Sequence, residues 1–430
     1  MKSVIALSFL ATLSVAAQGQ LRLPQLPSVQ RLPGVVGGVV DRVAQPLPEL
    51  LLSTTPLLDL RTTVARDLLR RHADVVEADP RGEPIRRREL VLVSPGDNAL
   101  AAAAALGLTV LRDKAWPELD LRHVVLRVPP GLATADALAQ LRAAQPDLQA
   151  DYNHLYVRSG DVASGGGTSA RPTGPVRVGL IDGGVDRRHA ALRRADGASW
   201  GCGGQPVPSE HGTAVASLLV GRDRGFAGAA SGAELFAADV YCDQPDGGSA
   251  EAVVGALAWM ARERVAVVNV SLVGPQNLLL QRGVAALVQR GHLLVAAVGN
   301  DGPAAPPLFP AAYAGVVGVT GVNMSRRVLP EAAQGPQVMW AAPGADMAVA
   351  RSGGGYGVAR GTSFAAPLVA GLLAAQLRAP DVTGAAAAVE TLAAQAVDLG
   401  APGSDPVFGR GLVADDLRVV PERLQQRQER

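Results

Sequence analysis

From residue 176 onward, short runs rich in Val, Leu and Ala alternate with longer stretches whose apolar residues recur at helical spacing. The pattern predicts strands over 176–181, 234–241, 265–272, 293–298 and 316–322. Between them it predicts helices over 211–220, 250–263 and 278–290. Gly221 and Gly291 stop the first and third, and Ser249 caps the second. A last long helix starts at or just after Ser363 and carries the apolar run 368–377. Pro367 falls in its first turn and Pro380 beyond its end. Strands that are apolar at nearly every position are buried on both faces. The fold class is therefore α/β, a doubly wound and mostly parallel sheet with flanking helices. Such a sheet binds its ligands at the carboxyl edge of the strands.

A different order lies ahead of it. Strands over 89–93, 108–111, 123–128 and 148–157, with helices over 98–106 and 133–144, run βαββαβ. That is the order of a small ferredoxin-like α+β domain. Thr134 or Asp136 opens the second of these helices. Residues 18–84 are a Pro-rich segment of weak periodicity with one helix over 58–72, and 158–174 are a Gly- and Ser-rich flexible linker. The expected organisation is then 1–17, 18–84, 85–157, 158–174, 175–418 and a polar tail over 419–430. Met1-Lys2 and the apolar run 4–17, which ends in Val15-Ala16-Ala17, read as a secretory signal peptide. A secreted or periplasmic protein is expected, with no membrane span in its mature form.

Composition changes this picture little. A chain of 430 residues, 48% of them hydrophobic, can bury more than one core. Net charge is +1 and lysine occurs only at 2 and 114, so no basic stripe marks a nucleic-acid partner. Cys202 and Cys242 can pair in an oxidising compartment, and two cysteines are too few for a structural zinc site.

Four residues carry chemistry. Asp182 follows the first strand in Ile181-Asp182-Gly183-Gly184, and His211 opens a helix in His211-Gly212-Thr213. Asn300 ends a strand in Val298-Gly299-Asn300-Asp301-Gly302, and Ser363 lies in Gly361-Thr362-Ser363-Phe364-Ala365-Ala366-Pro367. Each has a structural explanation when taken alone: a solvated loop, a helix end, a turn, a helix cap. Together they fall on one edge of one sheet. Acyl transfer by a serine needs this set: a base for the hydroxyl, an acid to orient the imidazolium, and donors for the oxyanion.

The order Asp, His, Ser with these flanking sequences resembles the subtilisin-like serine peptidases (subtilases) over about 174–418. Phe408-Gly409-Arg410-Gly411-Leu412-Val413 is similar to the family's closing motif. The resemblance implies Ser363 as nucleophile, His211 as general base and acid, Asp182 as orienter and Asn300 as oxyanion donor. It implies a substrate strand in Ser271-Leu272-Val273-Gly274 and pocket walls in Ala297, Val298, Gly299 and Leu308. It also makes 85–157 an inhibitory propeptide, so the partners are a peptide or protein substrate and the chain's own propeptide. No cofactor or metal is implied, since 222–226 is shorter than the family's usual calcium loop. This chain departs from the family pattern in Gly183, Ala214, Val273 and Phe364. Leu308 stands where many members have Gly; facing inward it would shorten the P1 pocket, and facing the core it would leave it deep. Two rival readings stay open. One is a subtilase-fold pseudoenzyme that binds peptide or protein without cutting. The other makes the N-terminal domain a permanent binding module.

Overall fold

A computed structural model describes residues 60–163, 176–223 and 225–418. The expected signal peptide, most of the Pro-rich segment, most of the linker and the tail over 419–430 lie outside the described residues. The described residues fall within one compact unit that runs from Pro56.

Helix α1 (Leu60–Arg71) comes first, then β1 (Val76–Ala78), β2 (Pro84–Val93), α2 (Asp97–Ala105), β3 (Thr109–Trp116), β4 (Leu121–Arg127), α3 (Thr134–Ala144) and β5 (Ala150–His154). β2 pairs antiparallel with β4 and, nearer its start, with β1 on one side and with β5 on the other, and β3 pairs with β4. The spatial order β5-β2-β4-β3 is the ferredoxin-like arrangement. The run Leu90–Val93 is buried throughout because both faces are covered. Leu90 and Leu92 pack on Ala103, Leu138 and Leu141 of the domain's own helices, while Val91, Val93 and Val125 pack against the second domain. This period of two is the pleat at work.

Three expectations change here. The small sheet begins at Val76, inside the segment assigned to the Pro-rich linker, because β1 adds to the edge of β2. Thr134 is not a cap; Ala133 holds that place, and the Thr134 hydroxyl bonds Glu77 instead. The strand expected over 148–157 stops at His154, and the chain leaves the small sheet for the large domain through β6 (Val157–Arg158) and β7 (Asp161–Ala163).

The large domain runs through β8 (Arg177–Asp182), β9 (Gly197–Trp200), α4 (Glu210–Val220), the hairpin of β10 (Arg222–Asp223) and β11 (Phe226–Ala227), and β12 (Glu234–Asp239). It continues with α5 (Ala250–Arg262), β13 (Val267–Val270), β14 (Leu272–Val273), α6 (Leu278–Gln289), β15 (Leu293–Ala297), β16 (Val317–Val322) and β17 (Trp340–Pro343). The hairpin of β18 (Met347–Ala350) and β19 (Tyr356–Arg360) leads into α7 (Thr362–Gln376) and α8 (Val382–Ala393). Seven strands form one sheet in the order β17-β16-β15-β13-β8-β12-β9, and every pair is parallel. Alternate residues serve opposite layers: Val295 and Ala297 face the side of α4, α7 and α8, and Leu294 and Ala296 face α5 and α6. Helix α7 is apolar around nearly its whole circumference because it packs against five of the strands.

Glu251, in the first turn of α5, joins the two domains. Its carboxylate lies 2.8 Å from Arg112 Nε, 3.1 Å from Lys114 Nζ and 3.4 Å from His123 Nε2, all three from the small sheet. Burial alone would push this carboxyl up, but His123, Arg112 and Lys114 outweigh it and hold it down to about 2. A depressed carboxyl stabilises the folded chain above its ordinary range near 4.5, and that contribution is lost as pH falls toward about 2. Glu251→Gln should therefore lower the urea midpoint at pH 7 and leave a much smaller difference at pH 3. An equal difference at both pH values would contradict this account.

Candidate active site

The carboxyl end of β8 delivers Asp182, and the N-terminus of α4 delivers His211. Ser209 caps α4 by accepting the Gly212 N–H at 3.0 Å, which places His211 in the first turn. A Cβ on Gly212 would sit 2.3 Å from the Gly183 carbonyl oxygen, so the helix can meet the 182–184 turn this closely only with glycine there. His211 Nδ1 lies 2.8 and 3.0 Å from the two carboxylate oxygens of Asp182. The Gly183 N–H donates to Asp182 Oδ1 at 2.6 Å, a backbone support at a position that has no side chain to offer one.

Ser363 is buried in the first turn of α7. The expected position of Pro367 needs correction: the helix starts at Thr362, so Pro367 falls in the second turn. A proline there removes the N–H that would bond the carbonyl four residues earlier, which is that of Ser363. The Ser271 hydroxyl takes its place, donating to the Ser363 carbonyl at 3.0 Å while accepting Asn269 Nδ2 at 2.8 Å. In return the Ser363 hydroxyl donates to the Ser271 carbonyl at 3.3 Å. His211 Nε2 has no hydrogen-bond partner among the described residues.

Asn300 follows β15. Its Oδ1 accepts the Thr362 N–H at 3.0 Å, and the Thr362 hydroxyl accepts the Gly299 N–H at 3.2 Å. This clamp locks the strand end to the helix start and turns Asn300 Nδ2 outward, where it donates to the Ser159 hydroxyl at 2.7 Å. The four candidate residues are thus brought together, and the chain's own linker lies on them.

The linker crosses the site as an extended strand. β6 pairs antiparallel with β14, Arg158 opposite Leu272 and Val157 opposite Val273. On its other side Leu155 bridges Ser249, and the Tyr156 N–H donates to the Gly248 carbonyl at 2.9 Å. Beyond the site β7 pairs with β19, Asp161 opposite Arg360. Between these pairings a Cβ on Gly361 would sit 2.8 Å from Gly160 Cα and 3.5 Å from the Ser159 carbonyl oxygen. Tyr156 packs over Gly274, and its hydroxyl donates to the Pro275 carbonyl at 2.8 Å. Val157, Val273 and Leu308 form a small apolar cluster, with Leu68 of α1 packed against it. Arg61 of α1 reaches Asp301, the neighbour of Asn300, at 2.6 Å.

Of the predicted pocket residues, Leu308 lies across Gly299: a Cβ there would be 2.6 Å from Leu308 Cδ1. Ala297 and Val298 are buried. Ser271 acts beneath Ser363 through its side chain rather than lining the cleft. Cys202 and Cys242 form a disulfide with Cα atoms 5.2 Å apart.

Residues 174–411 match the subtilase family, Peptidase S8. The chain belongs to the subtilase family. Among its curated relatives, minor extracellular protease Epr of Bacillus subtilis (strain 168) is 31% identical over 206 residues, 47% of this chain and 32% of that protein. Subtilisin E of the same organism is 32% identical over 214 residues, 46% of this chain and 54% of that protein. The chain thus spans about a third to a half of the length of these two relatives. Fervidolysin from Fervidobacterium pennivorans, a keratinolytic enzyme related to subtilisin, shares the fold with a TM-score of 0.65 at 18% identity. That match covers 79% of this chain and 61% of fervidolysin.

The sequence pattern of this subtilase gives no sign of α1 as a cover for the cleft or of Asn269 beneath the helix start. The only available signal was Pro367: a proline four residues after a candidate nucleophile demands a donor for the orphaned carbonyl. Removing that donor in Ser271→Ala should lower unfolding free energy by about 1–3 kcal/mol, the cost of an unsatisfied buried acceptor. Pro367→Ala restores an N–H on the helix. The double variant should therefore lose less than Ser271→Ala loses alone, as read by denaturant unfolding in a double-mutant cycle. Strict additivity would reject the link.

Proposed function

We propose that this subtilase is a secreted serine endopeptidase, made as a zymogen, which cuts its own chain between Ser159 and Gly160. The observation that carries this reading is the linker itself. An extended segment that pairs with β14 through residues 157–158 and with β19 through residues 161–163 has the form of a bound peptide substrate. Its turning point lies where Ser159 meets Asn300 and Gly160 approaches Gly361. In this reading the Ser363 hydroxyl leaves the Ser271 carbonyl for His211 Nε2, gives up its proton there, and attacks the Ser159 carbonyl carbon. Asp182 holds the imidazole through Nδ1 and stabilises the imidazolium. The oxyanion falls to Asn300 Nδ2 once it releases the Ser159 hydroxyl, and to the N–H of Ser363. His211 then protonates the leaving amine of Gly160, and water releases the acyl group. The apolar run over 1–17, which reads as a signal peptide, and the extracellular relative support export.

Mass analysis of the secreted protein tests this directly. The wild type should yield a new N-terminus at Gly160 and react with a fluorophosphonate probe, and Ser363→Ala should do neither. A wild-type chain that stays intact and unlabelled would favour a peptide-binding protein without cleavage. The Ser363 hydroxyl held on Ser271 is the feature that such a reading would rest on.

Leu308 bears on which peptides are cut. It occupies space between Val273 and Gly299, so the pocket for the residue at P1 is short, in keeping with Ser159. Fitting a large side chain into occupied space costs ~1–3 kcal/mol. Matched peptides should give kcat/KM in the order Ala, Leu, Phe, and Leu308→Gly should raise the Phe value most. A wild-type preference for Phe, unchanged by the substitution, would overturn the assignment.

A further inference from the structure

We propose that the subsite next to the catalytic Asp–His pair selects arginine at P2, the residue before the one whose carbonyl is attacked. This rests on the reading of Ser159–Gly160 as the cleaved bond, which makes Arg158 the P2 residue. The Arg158 guanidinium stacks on the Tyr241 ring, 4.2 Å from its centroid. Its Nε lies 3.8 Å from Asp182 Oδ1 and makes no hydrogen bond. The contact is therefore ionic and π-stacked rather than a directed hydrogen bond, and it favours a planar, delocalised cation over an ammonium.

The room for this side chain comes from Gly183. A Cβ there would sit 2.6 Å from Arg158 Nη2 and 2.4 Å from Ser209 Oγ, so any larger residue pushes into the guanidinium. The absent side chain beside Asp182 thus leaves a volume, and Arg158 fills it. Tyr241 is fixed as the opposite wall. Its hydroxyl donates to the Tyr156 carbonyl at 3.0 Å, so the same residue holds the peptide backbone and stacks on the P2 side chain. Its own N–H and that of Cys242 both donate to Asp239 Oδ1 at 3.0 Å, and the disulfide to Cys202 anchors the turn. Asp182 is fully buried and Arg158 about one-third exposed, so the guanidinium covers the mouth of a buried carboxylate.

Two measurements test the subsite, one of which does not require cleavage. In the uncut Ser363→Ala chain, adding Arg158→Ala should speed hydrogen exchange of the amides at 156–158 by about tenfold, and Arg158→Lys should have a smaller effect. On peptides ending in Ser at P1, the self-processed enzyme should cut Arg at P2 about tenfold faster in kcat/KM than Ala, with Lys between and Glu lowest. The Arg-to-Ala ratio, measured within each variant, should collapse in Gly183→Ser and in Tyr241→Leu. An Arg-to-Ala ratio near one in the wild type overturns the proposal, and so does a ratio that survives both substitutions. If the wild type cuts nothing but Arg158→Ala still loosens the segment, the arginine site stands and the peptidase reading falls. If it cuts without preference and exchange is unchanged, the reverse holds.

Discussion

The antiparallel pairing of β6 with β14 governs how the two domains meet. It is short, only two residues on each strand, and would be weak between separate molecules. Here it is intramolecular, so a high effective concentration holds it. Everything near the site takes its register from it: Val157 against Val273, Arg158 beside Asp182, Ser159 against Asn300. A shift of one residue that turned Arg158 into the Leu308 cluster would leave the uncharged Ser159 in its place beside the buried Asp182. The charged contacts of Glu251 with the small sheet, and α1 across the Leu308 cluster, hold the strand in its register from outside.

The small domain's place also explains why it reads so clearly as a ferredoxin-like unit yet ends differently from expectation. Its strand order follows from alternating apolar residues, which survive in any context. Where β5 ends is another matter. Residues 155–158 are as strand-like as those before them, and nothing local says that their partner changes from β2 to β14. The same limit hides α1, whose role depends on Leu68 and Arg61 meeting residues more than 200 positions away. By contrast Asp182, His211, Asn300 and Ser363 each stand at the end of a strand or the start of a helix, so periodicity alone put them on one edge. Their mutual geometry needed the structure, and so did the serine pair beneath the helix start. β9 and β17 escaped the pattern because each is only four residues long, and β9 is half-exposed at the sheet's edge.

Two glycine-related departures from the family show how a small change in volume redistributes roles. At position 183 a side chain is absent, and the space is taken by a guanidinium. At position 308 a side chain is present, and it takes space against Gly299. One leaves room beside the Asp182–His211 pair and the other takes room beside Gly299, next to Asn300.

The face of the small sheet that carries Val91, Val93 and Val125 is buried against α5 and α6. If the domain is cut free and leaves, that row of β-branched side chains enters water with no helix of its own to cover it. Exposed β-branched strands seek other chains, unfold, or become food for the nearest protease. A released small domain would then be a poor competitor for the cleft it had left, because the face that docked it is the face that draws it into other contacts. A cut at the linker would then act as a ratchet whose pawl is a bare hydrophobic face.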